Sequence, residues 1–380
     1  MLKKSKILLF IDWYMPAFKA GGPIQSCVNF VENMKTYYEI LIVTGDTDFG
    51  ETQKLEGISS NVWIDLGDNV KIIYASKSFI TFKSIKRIIH AEQPDFIYLN
   101  SMFSQNFTLL PLFLKKVTKI GAKYLLNPRG MLRESAMKFK SSKKRYFIGL
   151  FKFLRIYRDI NFLATDLREA MDIKKYFPDA GVSIIPNFST CSKFNTSILE
   201  KKRGELKLLF VGRIHPIKQL SYLLNVLQNV QGVVVLTIVG IPEDLEYWKQ
   251  CQKQINNFPS SIKVNELGGI PHYRLEQLYF DNHLFCLPTL GENFGHAIFE
   301  SLSAGTPVLI SDQTPWHNLL NSNAGWDLSL SDPTMYTLAL QAAIDWTQDD
   351  YLLWSKGARI YIDEFNRTSD TLLMYRNIFA

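Results

Sequence analysis

The sequence predicts an α/β protein built from two doubly wound domains. Its 380 residues suffice for two domains at roughly 100–200 residues each. Short runs rich in Val, Ile and Leu alternate along it with longer segments of helical period. Strands that are apolar throughout are buried on both faces, which implies parallel sheets covered by helices. A composition of 47% hydrophobic and 21% charged residues is that of a globular chain.

The elements follow in order. KILLFI (6–11) reads as a buried first strand, because its apolar stretch meets Asp12 too soon for a secretory signal. A helical period over Gln25 to Tyr37 precedes the strand YEILIVTG (38–45). VKIIYAS (70–76), a helix over Phe82 to His90, DFIYLN (95–100), KYLLNP (123–128) and NFLAT (161–165) complete the first half. After Pro186-Asn187 the stretch FSTCSKFNTSILEKKRG is polar and aperiodic, so a domain boundary is expected there. The division is 1–195, 196–355 and a C-terminal helical segment 356–380. In the second half LKLLFVG (206–212), VVVLTIVG (233–240), HLFCLPT (283–289) and TPVLIS (306–311) repeat the strand pattern.

Several classes are excluded. No run of 18 apolar residues exists to form a membrane-spanning helix. Cys27, Cys191, Cys251 and Cys286 are widely spaced and no His cluster has metal spacing, so neither a disulfide framework nor a zinc site is expected. A reducing cytoplasm fits that usage. No nucleic-acid-binding motif is present, and no G-x-G-x-x-G follows a strand. The net charge of +7 points to an acidic partner, and it is unevenly spread. Residues 1–200 hold 29 basic and 18 acidic side chains; the remainder hold 14 and 18.

The densest chemistry lies in the second half. Gly212-Arg213 ends a strand, and Lys218 stands just before the amphipathic run QLSYLLNVLQNV. Ligands of parallel α/β sheets bind where strands end and helices begin, and an Arg and a Lys there suit a diphosphate. A solvated basic pair is the plain alternative. Further on, PTLGENFGHAIFESLSAGTPVLIS carries Glu292 and Glu300 around a turn at a helix start. The amides of Asn293, Phe294 and Gly295 are candidates to hold sugar hydroxyls or phosphate, although Glu292 also reads as a first-turn acid complementing the macrodipole.

These residues resemble glycosyltransferase family 4. The pattern is strand-G-R-x4-K, then P-T-x-x-E-N-F-G-x4-E-x-L-x-x-G-T-P-V. Gly21-Gly22-Pro23, Asn127-Pro128-Arg129-Gly130, Thr314-Pro315-Trp316 and Gly325-Trp326 extend the likeness, the last three toward enzymes of bacterial surface-polysaccharide synthesis. The resemblance implies a GT-B fold, two Rossmann-like domains facing each other across a cleft. It implies sugar transfer from a nucleotide-diphospho-sugar, UDP- or GDP-linked, with retention of configuration and without metal or other cofactor. Arg213 and Lys218 would clamp the diphosphate, Glu292 with Asn293, Phe294 and Gly295 would hold the sugar, and Glu300 the ribose. Gly21, Gly22 and Gly212 would let backbone approach the donor, with the base near Leu267 to Ile270. Asp12, Arg129 and Gly130 would lie on the acceptor side. Two positions depart from the family pattern: Gln219 follows the lysine where glycine is common, and Arg129 replaces a frequent histidine.

Between Met137 and Arg158 the chain holds eight cations and no acid, with Phe147, Leu150, Phe151 and Leu154 at helical spacing. This segment reads either as a peripheral contact with an anionic membrane or as a core stripe with a solvated basic face. The expected partners are a nucleotide-sugar donor and a glycan or polyprenyl-linked acceptor, not nucleic acid. A nucleotide-sugar 2-epimerase on the same fold, or a non-catalytic sugar-nucleotide-binding partner of a transferase, would carry similar residues.

Overall fold

The computed structural model describes residues 4–118, 120–138, 141–189, 199–368 and 370–380. The expected boundary at 195/196, Cys191 and Lys140 lie outside them. The chain forms two compact units, Met1–Phe188 with Asp370–Ala380, and Ser189–Ser369.

In the first unit the order is β1 (Lys6–Phe10), α1 (Gly22–Met34), β2 (Glu39–Gly45), β3 (Trp63–Gly67), β4 (Val70–Ala75), α2 (Phe82–Glu92), β5 (Phe96–Asn100), α3 (Leu110–Val117), β6 (Lys123–Asn127), α4 (Glu134–Lys138), α5 (Ser141–Phe153), β7 (Asn161–Ala164), α6 (Leu167–Tyr176) and β8 (Gly181–Ile184). The strands form one sheet, β3-β4-β2-β1-β5-β6-β7-β8, parallel except where β3 meets β4. Successive side chains of β1 face opposite cores, as the two-residue period of a strand requires. Leu8 and Phe10 join Ile85, Leu112, Ile148 and Ile173 from α2, α3, α5 and α6. Ile7 and Leu9 join Phe30 of α1 and the C-terminal residues Tyr375 and Phe379.

The second unit runs β9 (Glu205–Val211), α7 (Leu220–Leu227), β10 (Val233–Val239), α8 (Leu245–Asn256), β11 (Ile262–Gly268), α9 (Leu275–Phe280), β12 (Leu284–Leu287), α10 (His296–Ala304), β13 (Val308–Ser311), β14 (Gly325–Leu328), α11 (Pro333–Asp345) and α12 (Gln348–Thr368). Its sheet order is β11-β10-β9-β12-β13-β14, with every neighbouring pair parallel. The C-terminal stretch read as one helical segment is two helices. α12 belongs to the second unit, whereas α13 (Thr371–Ile378) packs in the first, where Phe379 meets Phe96 edge-on at 5.2 Å.

All ten expected strands are present; β3, β8, β11 and β14 are additional. These four are the outer strands of the two sheets.

Candidate active site

In the second unit the residues picked from the motifs, and two that were not, Glu243 and His272, collect at the carboxyl ends of adjacent strands. Arg213 and Lys218 follow β9, Glu243 follows β10, Ile270 and His272 follow β11, and Glu292 follows β12. Since these strands are neighbours in the order β11-β10-β9-β12, the residues line one sheet edge about 15 Å long.

The local backbone explains why they converge. Gly240 ends β10 at φ +155°, and a Cβ there would lie 1.9 Å from the Gly212 carbonyl oxygen. Only glycine lets the two strand ends close, and beyond them Ile214 N–H donates to Ile241 at 2.8 Å. His215 then caps a short 3-10 turn, Pro216–Lys218, its Nδ1 accepting from the Ile217 amide at 3.2 Å. Gln219 follows at φ 55°, ψ 37°, the left-handed region a glycine would occupy, with its side-chain amide donating to Pro216 at 2.8 Å. The departure from the family pattern therefore leaves the turn with the backbone form expected of glycine. Burial holds the His215 imidazole below its ordinary pKa, against the raising influence of Glu243.

Within this frame Lys218 Nζ pairs with Glu292 Oε1, both side chains largely withdrawn from solvent. The loop carrying Glu292 is tied to the Lys218 turn, since the Leu290 amide donates to the Ile217 carbonyl at 2.8 Å. Arg213 Nη1 pairs with Glu243 Oε2 at 2.6 Å on a more open surface. Glu243 carries no motif in the sequence; only the adjacency of β9 and β10 reveals it.

The turn Glu292 to Gly295 leads into α10. Gly295 is its N-cap at φ 80°, and a Cβ there would crowd Ile298 at 3.0 Å and the Trp316 indole nitrogen at 3.3 Å. Trp316 is buried and donates from Nε1 to the Phe294 carbonyl at 2.6 Å, so its role is to pin this turn. The Ile298 and Phe299 amides both donate to the Gly295 carbonyl, and the helix dipole adds positive potential at this end of α10. About one turn along α10, Glu300 accepts from His272 Nε2 at 2.8 Å and from the buried Tyr279 hydroxyl at 3.1 Å. Burial pulls the His272 imidazolium down, but the hydrogen bond and charge of Glu300, with Glu276, outweigh it and its pKa stands above the ordinary value. His272 and Tyr279 are further partners that the sequence left unassigned.

Gly21, Gly22, Asp12, Arg129 and Gly130 all lie in the first unit. Gly21 caps α1 and Gly22 opens it. Asp12 follows β1 and accepts from Ser104 Oγ at 2.7 Å; burial raises its pKa to about 6, opposed by that hydrogen bond. Arg129 is surrounded by hydrogen-bond acceptors. Its guanidinium donates to Asn100 Oδ1 at 2.5 Å and Asn187 Oδ1 at 2.5 Å, with Tyr98 Oη at 3.3 Å. The Gly130 amide donates to the buried Glu169 carboxylate at 2.6 Å. Buried polar groups need such partners, which ties Arg129 to the ends of β5 and β6 and Gly130 to α6. Among the described residues, no group of three or more His, Cys, Asp and Glu side chains is placed to hold a metal ion.

Residues 192–343 match the family model described as "Glycosyl transferases group 1". The O-antigen chain mannosyltransferase RfbU of Salmonella typhimurium is 26% identical over 144 residues, which is 38% of this chain and 39% of that one. The chain spans well under half the length of the curated relatives it matches. Among solved structures, the sucrose-phosphate synthase of Thermosynechococcus elongatus superposes with a TM-score of 0.73 at 16% identity over 99% of both chains. Anabaena HepE in complex with UDP-glucose gives 0.69 at 14% identity over 98% of both. The fold is GT-B, and the matched segment contains both the Arg213–Lys218 turn and the Glu292–Glu300 block.

Proposed function

We propose that the chain is a retaining glycosyltransferase of bacterial surface-polysaccharide synthesis, with the donor nucleotide-diphospho-sugar bound along the carboxyl edge of the second sheet. The observation that carries this reading is the pairing of both motif cations with carboxylates, Lys218 with Glu292 and Arg213 with Glu243. The pairs hold the cations in place before the donor arrives. A diphosphate then takes over Lys218 and Arg213, and the released Glu292 accepts from hydroxyls of the sugar beside the amides of Asn293 to Gly295. Tyr279 fixes one oxygen of Glu300, while the other exchanges the exposed His272 for a ribose hydroxyl.

The chemistry required of these residues is electrostatic. Negative charge grows on the departing diphosphate, and an Arg and a Lys aimed at it stabilise the transition state more than the ground state. No side chain is assigned as a nucleophile; the leaving phosphate accepts the proton of the incoming hydroxyl. Neither a metal ion nor another cofactor is part of this reading. The likeness to an O-antigen mannosyltransferase supports a glycan or lipid-linked acceptor, and the UDP-glucose bound by HepE supports a nucleotide-sugar donor.

The first test is thermal stabilisation by UDP-, GDP- and ADP-sugars, followed by transfer assays with the donor so found. Lys218→Ala and Arg213→Ala are each expected to lower turnover by about 2–4 kcal/mol of transition-state stabilisation, on the order of a hundredfold or more. Near-normal turnover of either variant at saturating donor removes that cation from the clamp. Epimerised free donor, formed without any acceptor, overturns the transfer reading itself.

A further inference from the structure

Helix α5 of the first unit carries two apolar stripes, and only one of them is used by the core. Ile148 and Phe151 are buried, with Phe147 and Leu154 packed beside them. Part of the expected apolar stripe is thus core. Leu150 instead belongs with Tyr146 and Phe153, which point outward and are 42%, 77% and 83% exposed respectively. Positions 146, 150 and 153 fall on one helical face. Isolated exposed apolar residues are ordinary, but a stripe of three, two of them aromatic, on one face is a contact surface.

Its electrostatics select the partner. From Phe96 to Arg158 the sequence has fourteen Lys and Arg and a single acid, Glu134. On α5 and just beyond it, Lys143, Arg145, Lys152 and Arg155 are exposed around the stripe. The same layer of helices, packed on one face of the sheet, shows further exposed apolar side chains, Phe113 and Val117 on α3 and Leu167 and Met171 on α6. On the opposite face α1 contains neither Lys nor Arg. Cations alone would suit any polyanion. Cations surrounding aromatic and aliphatic side chains suit a surface that is anionic outside and apolar a few ångströms within.

We infer that the outer face of α5, with the neighbouring helices of its layer, docks on an anionic lipid bilayer. The cations engage headgroups and Tyr146, Leu150 and Phe153 enter the interface between headgroups and acyl chains.

The test is cosedimentation of the whole chain with phosphatidylcholine vesicles with and without about a third phosphatidylglycerol, at 0.1 M salt. No donor or acceptor is present, so the result is separate from the transferase reading. Binding to the anionic vesicles is expected, with much less to the neutral ones. Replacing Lys143, Arg145, Lys152 and Arg155 by Gln is expected to weaken partitioning roughly fivefold per cation. Tyr146→Ser, Leu150→Ser and Phe153→Ser are each expected to weaken it on the order of tenfold. A salt titration of the unaltered protein gives a readout independent of any variant: part of the binding should persist at 0.5 M because the stripe is apolar. Loss of all binding at that salt, equal binding to both vesicle types, or unchanged partitioning of folded variants overturns the inference. Tight binding to a short DNA duplex without vesicle binding also overturns it and gives the charge to a nucleic acid.

Discussion

Asp12 sits where burial and charge oppose each other. Its carboxyl is raised from 3.8 to about 6 by burial, and the Ser104 hydroxyl only partly compensates. The folded chain therefore holds this proton more tightly than the unfolded one. The stability it contributes is complete below pH 3.8 and is lost as pH rises through about 6, a difference of up to about 3 kcal/mol. Asp12→Asn keeps an acceptor for Ser104 and removes the charge. It is expected to stabilise the first unit by about 1–3 kcal/mol at pH 7 and to change little at pH 3.5. Denaturant titrations at the two pH values check this, and an equal gain at both would show that the charge is not the cause. At this scale the sequence displayed the charged residues but not their partners. Arg213 and Lys218 were legible because they stand in a spaced pattern. Glu243, His272 and Tyr279 were not, because each reaches its partner from another strand or helix. Lys201 stands in the polar stretch that marks the domain boundary, yet it is buried with Nζ donating to the carbonyls of Lys202, Ile344 and Trp346. Its neighbours in the sequence give no sign of that.

At the scale of elements, what the sequence hid was the edge of each sheet. Central strands such as FIYLN of β5 are buried at every position, and their continuous apolar runs announce them. The outer strand β11, IKVNELG, is mostly exposed and polar, and β3 and β8 are likewise only partly covered. An edge strand needs no second apolar face and is safer without one, so periodicity cannot find it. β14 escaped for a different reason: GWDL begins with glycine and carries Asp327, so it offers no apolar run. The strand ends matter more for function than the edges. Gly240 permits β10 and β9 to close behind Arg213, and any Cβ there would overlap the Gly212 carbonyl. Gly240→Ala must therefore move the strand end and with it the Arg213–Glu243 pair. The expected result is loss of donor-induced stabilisation together with a lower melting temperature, whereas Gly268→Ala, with open space at its Cβ, should leave the pair in place while straining its own turn. Equal donor responses in the two variants would contradict the steric account.

The whole molecule divides its labour by charge. The basic excess lies in the first 200 residues, while the remainder is acidic on balance and pairs Lys218 and Arg213 with Glu292 and Glu243. On the proposed reading, general attraction of polyanions is left to one half, and the donor is recognised in the other by placement rather than by field strength. This has a measurable consequence. A donor held by a few placed groups stabilises the folded state by mass action, about 2.7 kcal/mol at one hundred times its Kd. That stabilisation should appear in hydrogen exchange as slower amides at residues 213–219 and in the first turn of α10, because these turns lose an exchange-competent opening when a diphosphate bridges them. The amino-terminal ends of β9 and β12, at the far edge of the same sheet, should gain only what global stabilisation gives them. Screening should matter little: raising salt from 0.1 to 0.3 M weakens long-range attraction far more than a bidentate contact at a half-buried site. Protection that spreads evenly over the second unit, or donor affinity that falls steeply with salt, would mean that the diphosphate is held by diffuse charge and not by Arg213 and Lys218. Protection confined to the two turns and indifferent to salt would place the donor on the edge those residues line.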